Sequence, residues 1–340
     1  MKKGTLKEYA KLVRLPSSLG ISVIGIIGAM SVKGFNLEFL TLIVLLAMGI
    51  LGNIFGYTLN DYFDLKFDIN SKELSKRPLV SGIVSKIGAQ VIIIICLIAI
   101  FIIPIFYFNS ILLIFILTIS VILGVFYDMF CKKIVCSEFF LAGAMASFCI
   151  FGAVSVSGDI KSLDDLGGFT WIIVAIMFFY VFIMNTFEGN LKDVEDDRKA
   201  GAITLSVYLG VKAENKMKIP FCYKSILIFF KILIIILIFV PLLFLEYKFW
   251  NWQILILIMI SFGMVWSMAK ILNERSYDRQ RFARYARRHG AISYFVFPFL
   301  LVRLIGIEWT IFLIIYPLIW PLLLNYVLYG KSLYPAAYIK

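Results

Sequence analysis

Long apolar runs separated by short polar breaks dominate the chain. Runs near the length of about 20 residues that spans a bilayer fall at 16–33, 39–59, 87–107, 109–127, 138–157, 169–187, 222–245, 250–272, 290–307 and 309–329. Each predicts a transmembrane helix. Residues 4–14 alternate basic and apolar positions at near-helical spacing, which predicts an amphipathic helix on the membrane surface, with Pro16 opening the first span. The break between the last two spans is only Gly306-Ile307-Glu308, and Pro317 and Pro321 are expected to kink or break the final one.

The polar breaks alternate in charge. With the N-terminus inside, the loops at 60–86, 128–137, 188–221 and 273–289 share one side and carry most of the 33 Lys and Arg. That is the positive-inside pattern, and it puts these loops in the cytoplasm of an integral protein of the cell membrane. Composition agrees: 61% of residues are hydrophobic, 16% are charged, and the mean hydropathy is +0.94. The net charge of +12 therefore reports topology, and nucleic acid is not an expected partner. The five cysteines have no framework spacing and read as reduced packing residues. His289 is the only histidine, which excludes a His-ligated zinc or a His-based triad as the main chemistry. No cleavable signal peptide is expected, because the first apolar run starts late and lacks a small-residue cleavage site.

Two acidic clusters interrupt this pattern. Asn60-Asp61-Tyr62-Phe63-Asp64-Leu65-Lys66-Phe67-Asp68 follows the second run, and Lys192-Asp193-Val194-Glu195-Asp196-Asp197 follows the sixth. Asp64/Asp68 and Asp193/Asp197 are both i, i+4 pairs, so each presents two carboxylates on one helix face. The two pairs are offset by the same distance in sequence. Each has a basic, turn-like tail, Lys76–Gly82 and Arg198–Leu205, which reads as a duplicated four-helix unit. Close carboxylates repel one another, and Mg²⁺ relieves that repulsion while holding phosphate oxygens. Asn60, Asp64 and Asp68 are candidate ligands of one Mg²⁺, and Asp193 and Asp197 of a second. Arg77, Lys132, Lys192 and Arg198 are candidate phosphate clamps, and Tyr127 can face the same space. The plainer alternatives stay open. Either cluster taken alone reads equally as solvated loop charges, a reading that the shared spacing, side and basic tails of the two together disfavour; Tyr127 and Lys132 read equally as interfacial anchors, and Asp61, Glu195 and Asp196 as pointing partly away. Arg14 reads as a headgroup contact or a membrane-boundary marker, Glu188 as a metal contact or a helix-end charge. The run Arg275–Arg288 reads as a topology signal with affinity for anionic lipid.

Together these residues resemble the UbiA superfamily of intramembrane prenyltransferases. The family pattern N-D-x-x-D-x-x-x-D matches Asn60 to Asp68, its R-P-L-x-S-G tail matches Arg77 to Gly82, and K-D-x-E-x-D-x-x-x-G-x-x-T-L matches Lys192 to Leu205. The resemblance implies an all-α fold: a ring of nine transmembrane helices over 1–307, built as two four-helix halves plus a ninth helix. Segment 308–340 would then be an extra span and tail. It implies Mg²⁺ as cofactor, catalytic roles for Asp64, Asp68, Asp193 and Asp197, and substrate contacts from Asn60, Asp61, Arg77, Tyr127, Lys132, Lys192 and Arg198. The implied reaction moves a prenyl group from a polyprenyl diphosphate, geranylgeranyl by motif texture, to a lipophilic acceptor, lipid or aromatic, in the bilayer. Two departures stand out. The tract Ile69–Lys76 is slightly long, and Cys131 occupies the position where many members carry a Lys, with Lys132 one residue further on. A transporter and a non-catalytic prenyl-lipid binding protein are the competing readings. A transporter fits poorly, since intramembrane ionisable groups are its mark and the spans are nearly free of charge.

Overall fold

A computed structural model describes residues 5–34, 36–69, 74–157, 163–213, 216–245 and 247–330. The middle of the long tract after Asp68, the tail from 331 and the Glu188 side chain lie outside the described residues. The chain is helical almost throughout, and the described residues contain nine segments long and apolar enough to cross a membrane.

The surface helix α1 (Leu6–Leu12) leads into a first span broken in two, α2 (Leu15–Gly20) and α3 (Ile24–Lys33). Next come α4 (Phe39–Asp68), α5 (Lys86–Phe108), α6 (Ile111–Phe130) and α7 (Glu138–Ser155). The second half contains α8 (Gly168–Met184), a π-helical turn at Asn185–Leu191, and the short helices α9 (Lys192–Lys199) and α10 (Leu205–Tyr208). It continues with α11 (Phe221–Phe244), α12 (Asn251–Leu272), α13 (Arg279–Tyr294) and α14 (Val296–Tyr329). Lipid has no hydrogen bonds to offer the backbone, so helices are the expected solution. Ile87, Ile94, Ile98 and Ile102 leave one face of α5 exposed, as a lipid-facing stripe requires.

The tightest contact is between α3 and α7. A Cβ on Gly28 would collide with the Cys149 carbonyl, and one on Gly152 with the Gly25 carbonyl. Small residues let the two backbones touch, the usual device where hydrophobicity cannot drive helices together.

Three expectations need correction. Pro317 and Pro321 do not break the last span: α14 runs through both, and it is instead kinked between two helical stretches at Gly306, φ 79° and ψ 175°, where the Gly306-Ile307-Glu308 break was expected. Glycine tolerates that conformation without strain. Second, 273–289 is a loop only as far as Asp278. That residue caps α13 by accepting hydrogen bonds from the Gln280 and Arg281 amides. Phe282, Ala283, Ala286 and His289 face the core, so this helix is amphipathic beneath its arginines. Third, α4 does not end at residue 59 but continues to Asp68, carrying the whole first acidic cluster.

Beyond Gly306, α14 packs back against the first span. Tyr316 Oη lies 3.3 Å from Ser22 Oγ, and a Cβ on Gly20 would stand 2.9 Å from Pro321 Cγ.

Candidate active site

Because α4 stays helical to Asp68, Asn60, Asp64 and Asp68 fall in one i, i+4 row. The row extends inward through Gly52 and Gly56, where a Cβ would meet no atom within 4 Å. The face of α4 that carries the acidic row is therefore open at both glycines.

Asp61, Asp64 and Asp68 are all buried. Arg77 Nη1 lies 2.6 Å from Asp68 Oδ2 and 3.2 Å from Asp61 Oδ1. Lys132 Nζ sits 3.5 Å from Asp64 Oδ2 and 3.4 Å from Asp68 Oδ1. Burial penalises the Lys132 charge, but Asp64, Asp68 and Asp197 outweigh it and raise its pKa above the ordinary lysine value. Asp197 is buried too. It belongs to the second cluster, so Lys132 answers to carboxylates from both halves of the chain.

Cys131, the departure from the family pattern, places its Sγ 3.7 Å from Asp64 Oδ1 and 3.9 Å from the Asn60 amide nitrogen. Burial, with Asp64 and Asp128 beside it, pushes its thiol pKa up, so it is a neutral neighbour rather than a charge. The shift from Cys131 to Lys132 does not take the ammonium out of the site.

The π-helical turn Asn185–Leu191 sets up the second cluster, and such turns often mark functional positions. Tyr127 Oη and the Asn185 amide exchange hydrogen bonds at 3.1 and 3.0 Å, which ties the end of α6 to that turn. Asn190 donates to Glu138 Oε1, and the Ile203 amide donates to the Lys132 carbonyl at 2.9 Å. Asp193 Oδ1 accepts from Arg279 Nε at 2.7 Å, with Arg279 Nη2 at 2.6 Å, and its Oδ2 is 3.7 Å from Lys192 Nζ.

Several sequence expectations are sharpened here. Asp61 does not point away into solvent: it is buried between Arg77 and Arg14, whose Nη2 is 2.5 Å from its Oδ1. Arg14 also stacks on Tyr57, 4.9 Å from the ring centre. Arg198 donates to the Val211 carbonyl. Asp196 is exposed, and Glu195 pairs with Lys199 at 3.6 Å. Arg279, Asp128, Asn185 and Glu138 escaped sequence reasoning. Arg279 lay in a basic run that reads as topology, and Asp128 and Glu138 carry no motif. Asp128 is buried beside Asn60 and Asp64.

Among the described residues no three His, Cys, Asp or Glu side chains converge on one point as a metal cage. The carboxylates are arranged instead around Arg77, Lys132 and Arg279. The donor set is nevertheless all oxygen apart from the neutral thiol, the hard chemistry that suits Mg²⁺. Asn60, Asp64, Asp68, Asp193 and Asp197 fit such ions if the basic side chains release some carboxylate oxygens to them.

Comparison with known proteins sets this geometry in context. The family model described as the UbiA prenyltransferase family matches residues 21–289. A digeranylgeranylglyceryl phosphate synthase of Sulfolobus acidocaldarius is 30% identical over 218 residues, which is 62% of this chain and 72% of the relative. Among solved structures, one concerned with digeranylgeranylglyceryl phosphate synthase in membranes aligns with TM-score 0.64 at 21% identity, covering 87% of this chain and 97% of its own. A UbiA homologue from Archaeoglobus fulgidus, bound to GPP and Mg²⁺, aligns with TM-score 0.61 at 17% identity, covering 85% and 99%. A UbiA homologue from Aeropyrum pernix K1 in its apo form aligns with TM-score 0.63 at 16% identity, covering 86% and 98%. At these identities the structural likeness speaks for the fold.

Proposed function

The chain belongs to the UbiA prenyltransferase family, and from that membership we propose that it transfers a geranylgeranyl-length prenyl group from its diphosphate to a lipid acceptor carrying a hydroxyl. The observation that carries this reading is the α4 row. The open face at Gly52 and Gly56 suits an apolar tail, and the same row carries Asn60, Asp64 and Asp68, where a diphosphate would sit. The Sulfolobus relative, by its name a digeranylgeranylglyceryl phosphate synthase, supports a glycerol phosphate lipid over an aromatic acceptor.

Asn60, Asp64 and Asp68 on one side and Asp193 and Asp197 on the other would hold Mg²⁺. When bound, Mg²⁺ neutralises charge building on the leaving diphosphate. Arg77 and Lys132 orient the diphosphate, and Arg14 shares with Arg77 the charge of Asp61. The C1–O bond breaks with its electron pair leaving on the diphosphate, and the acceptor oxygen attacks C1. The released diphosphate can take the hydroxyl proton. The apolar walls exclude water, which would otherwise capture the allylic cation. The positive-inside pattern supports a cytoplasmic orientation for this end.

The test is binding of geranylgeranyl diphosphate to the purified protein with Mg²⁺ and with chelator, followed by transfer to geranylgeranylglyceryl phosphate. Metal-dependent binding, lost in Asp64→Asn and Asp193→Asn, is expected. A folded protein that binds no prenyl diphosphate of any length under either condition overturns the reading.

A further inference from the structure

The sequence repeat pairs Arg77, in the tail of the first cluster, with Arg198 in the tail of the second. The structure breaks that symmetry. Arg77 turns back onto its own cluster at Asp68, but Arg198 is spent on the Val211 carbonyl. The arginine on the second cluster comes from elsewhere: Arg279 reaches Asp193 from the first turn of α13.

Arg279 is held in place by its neighbours in the chain. Asp278 caps the helix and fixes the direction of its first residue. The neighbouring Tyr277 donates from its hydroxyl to the Lys192 carbonyl at 2.6 Å, so two successive anchors seize Lys192 and Asp193. The Arg275 carbonyl accepts from the Met217 amide at 2.8 Å, holding the approach to α13 against the segment after α10. The Arg279 side chain is only 11% exposed. Its Nε and Nη2 both meet Asp193 Oδ1, while Oδ2 of the same carboxylate lies 3.7 Å from Lys192 Nζ.

We infer that Arg279 is the arginine of the second half of the site, a positioning residue that holds Asp193 by one oxygen and leaves the other for the Mg²⁺ that would hold the diphosphate end of the substrate. This rests on the prenyltransferase reading above and extends it to a helix that neither acidic cluster contains. A planar guanidinium that sets two N–H groups on one carboxylate holds it in a geometry that a flexible ammonium cannot. The function of Arg279 is therefore expressed at the diphosphate and is indifferent to the tail.

The experiment uses the full-length protein in detergent or lipid, with Arg279→Gln, Arg279→Lys and Arg198→Gln compared with wild type. The readouts are KM for geranylgeranyl diphosphate, KM for a shorter prenyl diphosphate, the inhibition constant of inorganic diphosphate, and the melting temperature. Arg279→Gln is expected to raise all three constants by a common factor, on the order of tenfold, as loss of one charge-assisted contact implies. Arg279→Lys should recover part of this, and Arg198→Gln should affect the diphosphate inhibition constant less than Arg279→Gln. A common factor across tail lengths is something a general loosening of the fold would not produce. If Arg279→Gln does not fold, Arg279→Lys still decides the matter through its diphosphate inhibition constant. Constants within twofold of wild type in the folded Arg279 variants, or a larger effect from Arg198→Gln, would overturn the inference. A wild-type protein that neither binds nor uses any prenyl diphosphate fails the functional reading itself.

Discussion

Lys132 is the best place to test the electrostatics of the site. Replacing it with Gln keeps much of the length and removes the charge. Its ammonium lies 3.5 Å from Asp64 and 3.4 Å from Asp68, with side-chain exposures of 18%, 11% and 3% for the three residues. At an effective dielectric constant of about 20, each contact is worth about 5 kcal/mol of Coulomb attraction before desolvation. Removing one partner from a buried pair costs a net ~3–5 kcal/mol, because the remaining charge is stranded. Lys132→Gln should therefore lower unfolding free energy by about 3 kcal/mol in chelator. Bound Mg²⁺ and prenyl diphosphate would bring replacement cations to the same carboxylates, and the penalty should then fall by half or more. The pH dependence follows from the raised lysine pKa. The lysine's own contribution is complete below the ordinary lysine value and is lost as pH climbs through the higher folded value, so wild type should lose that part of its advantage only at strongly alkaline pH. Denaturant titration followed by tryptophan fluorescence, with and without Mg²⁺ and substrate, measures both effects. An equal penalty in chelator and in saturating Mg²⁺ and substrate would refute the idea that the ammonium and the metals serve the same carboxylates.

Other perturbations follow from the same geometry. Gly56→Phe should fill the open space on that face of α4 and shift preference toward shorter prenyl diphosphates, read as the ratio of kcat/KM values across chain lengths; an unchanged ratio would place the tail elsewhere. Gly28→Ala should force α3 from α7 and lower stability by about 1–3 kcal/mol, as overpacking does, visible as a drop in melting temperature. Lys231 is buried, and among the described residues its ammonium meets Ser293 Oγ at 3.2 Å and Met264 Sδ at 3.8 Å. Lys231→Met should raise the melting temperature, since a charge so poorly compensated is costly in an apolar interior. Tyr127→Phe should cost about 1 kcal/mol through loss of its exchange with Asn185, and slow turnover more than it changes KM.

Much of the fold was legible because lipid imposes a simple rule on the chain. Apolar runs of spanning length located the helices to within a few residues, as at Lys86–Phe108 and Asn251–Leu272. The continuation of α4 to Asp68 was less visible, since the run of apolar residues stops well before the helix does. Asp64 and Asp68 announced themselves by spacing. Arg279 could not, because its partner is 86 positions away and nothing local distinguishes it from its neighbouring arginines. Asp128 and Glu138 were hidden for the opposite reason: each is a single acid in an apolar setting, without a recurring pattern to raise it above background.

The return of α14 to the first span has a consequence for biosynthesis. Ser22 and Tyr316, which meet across that seam, are 294 residues apart. At synthesis rates of about 5–20 residues per second, Ser22 waits roughly 15 seconds to a minute for its partner to be made. During that interval the seam on the first span must be covered by lipid or by the insertion machinery. Assembly is therefore sealed last at the place where it began, and an arrest of translation near Gly306 would leave an inserted, nearly complete barrel of helices with one side still open.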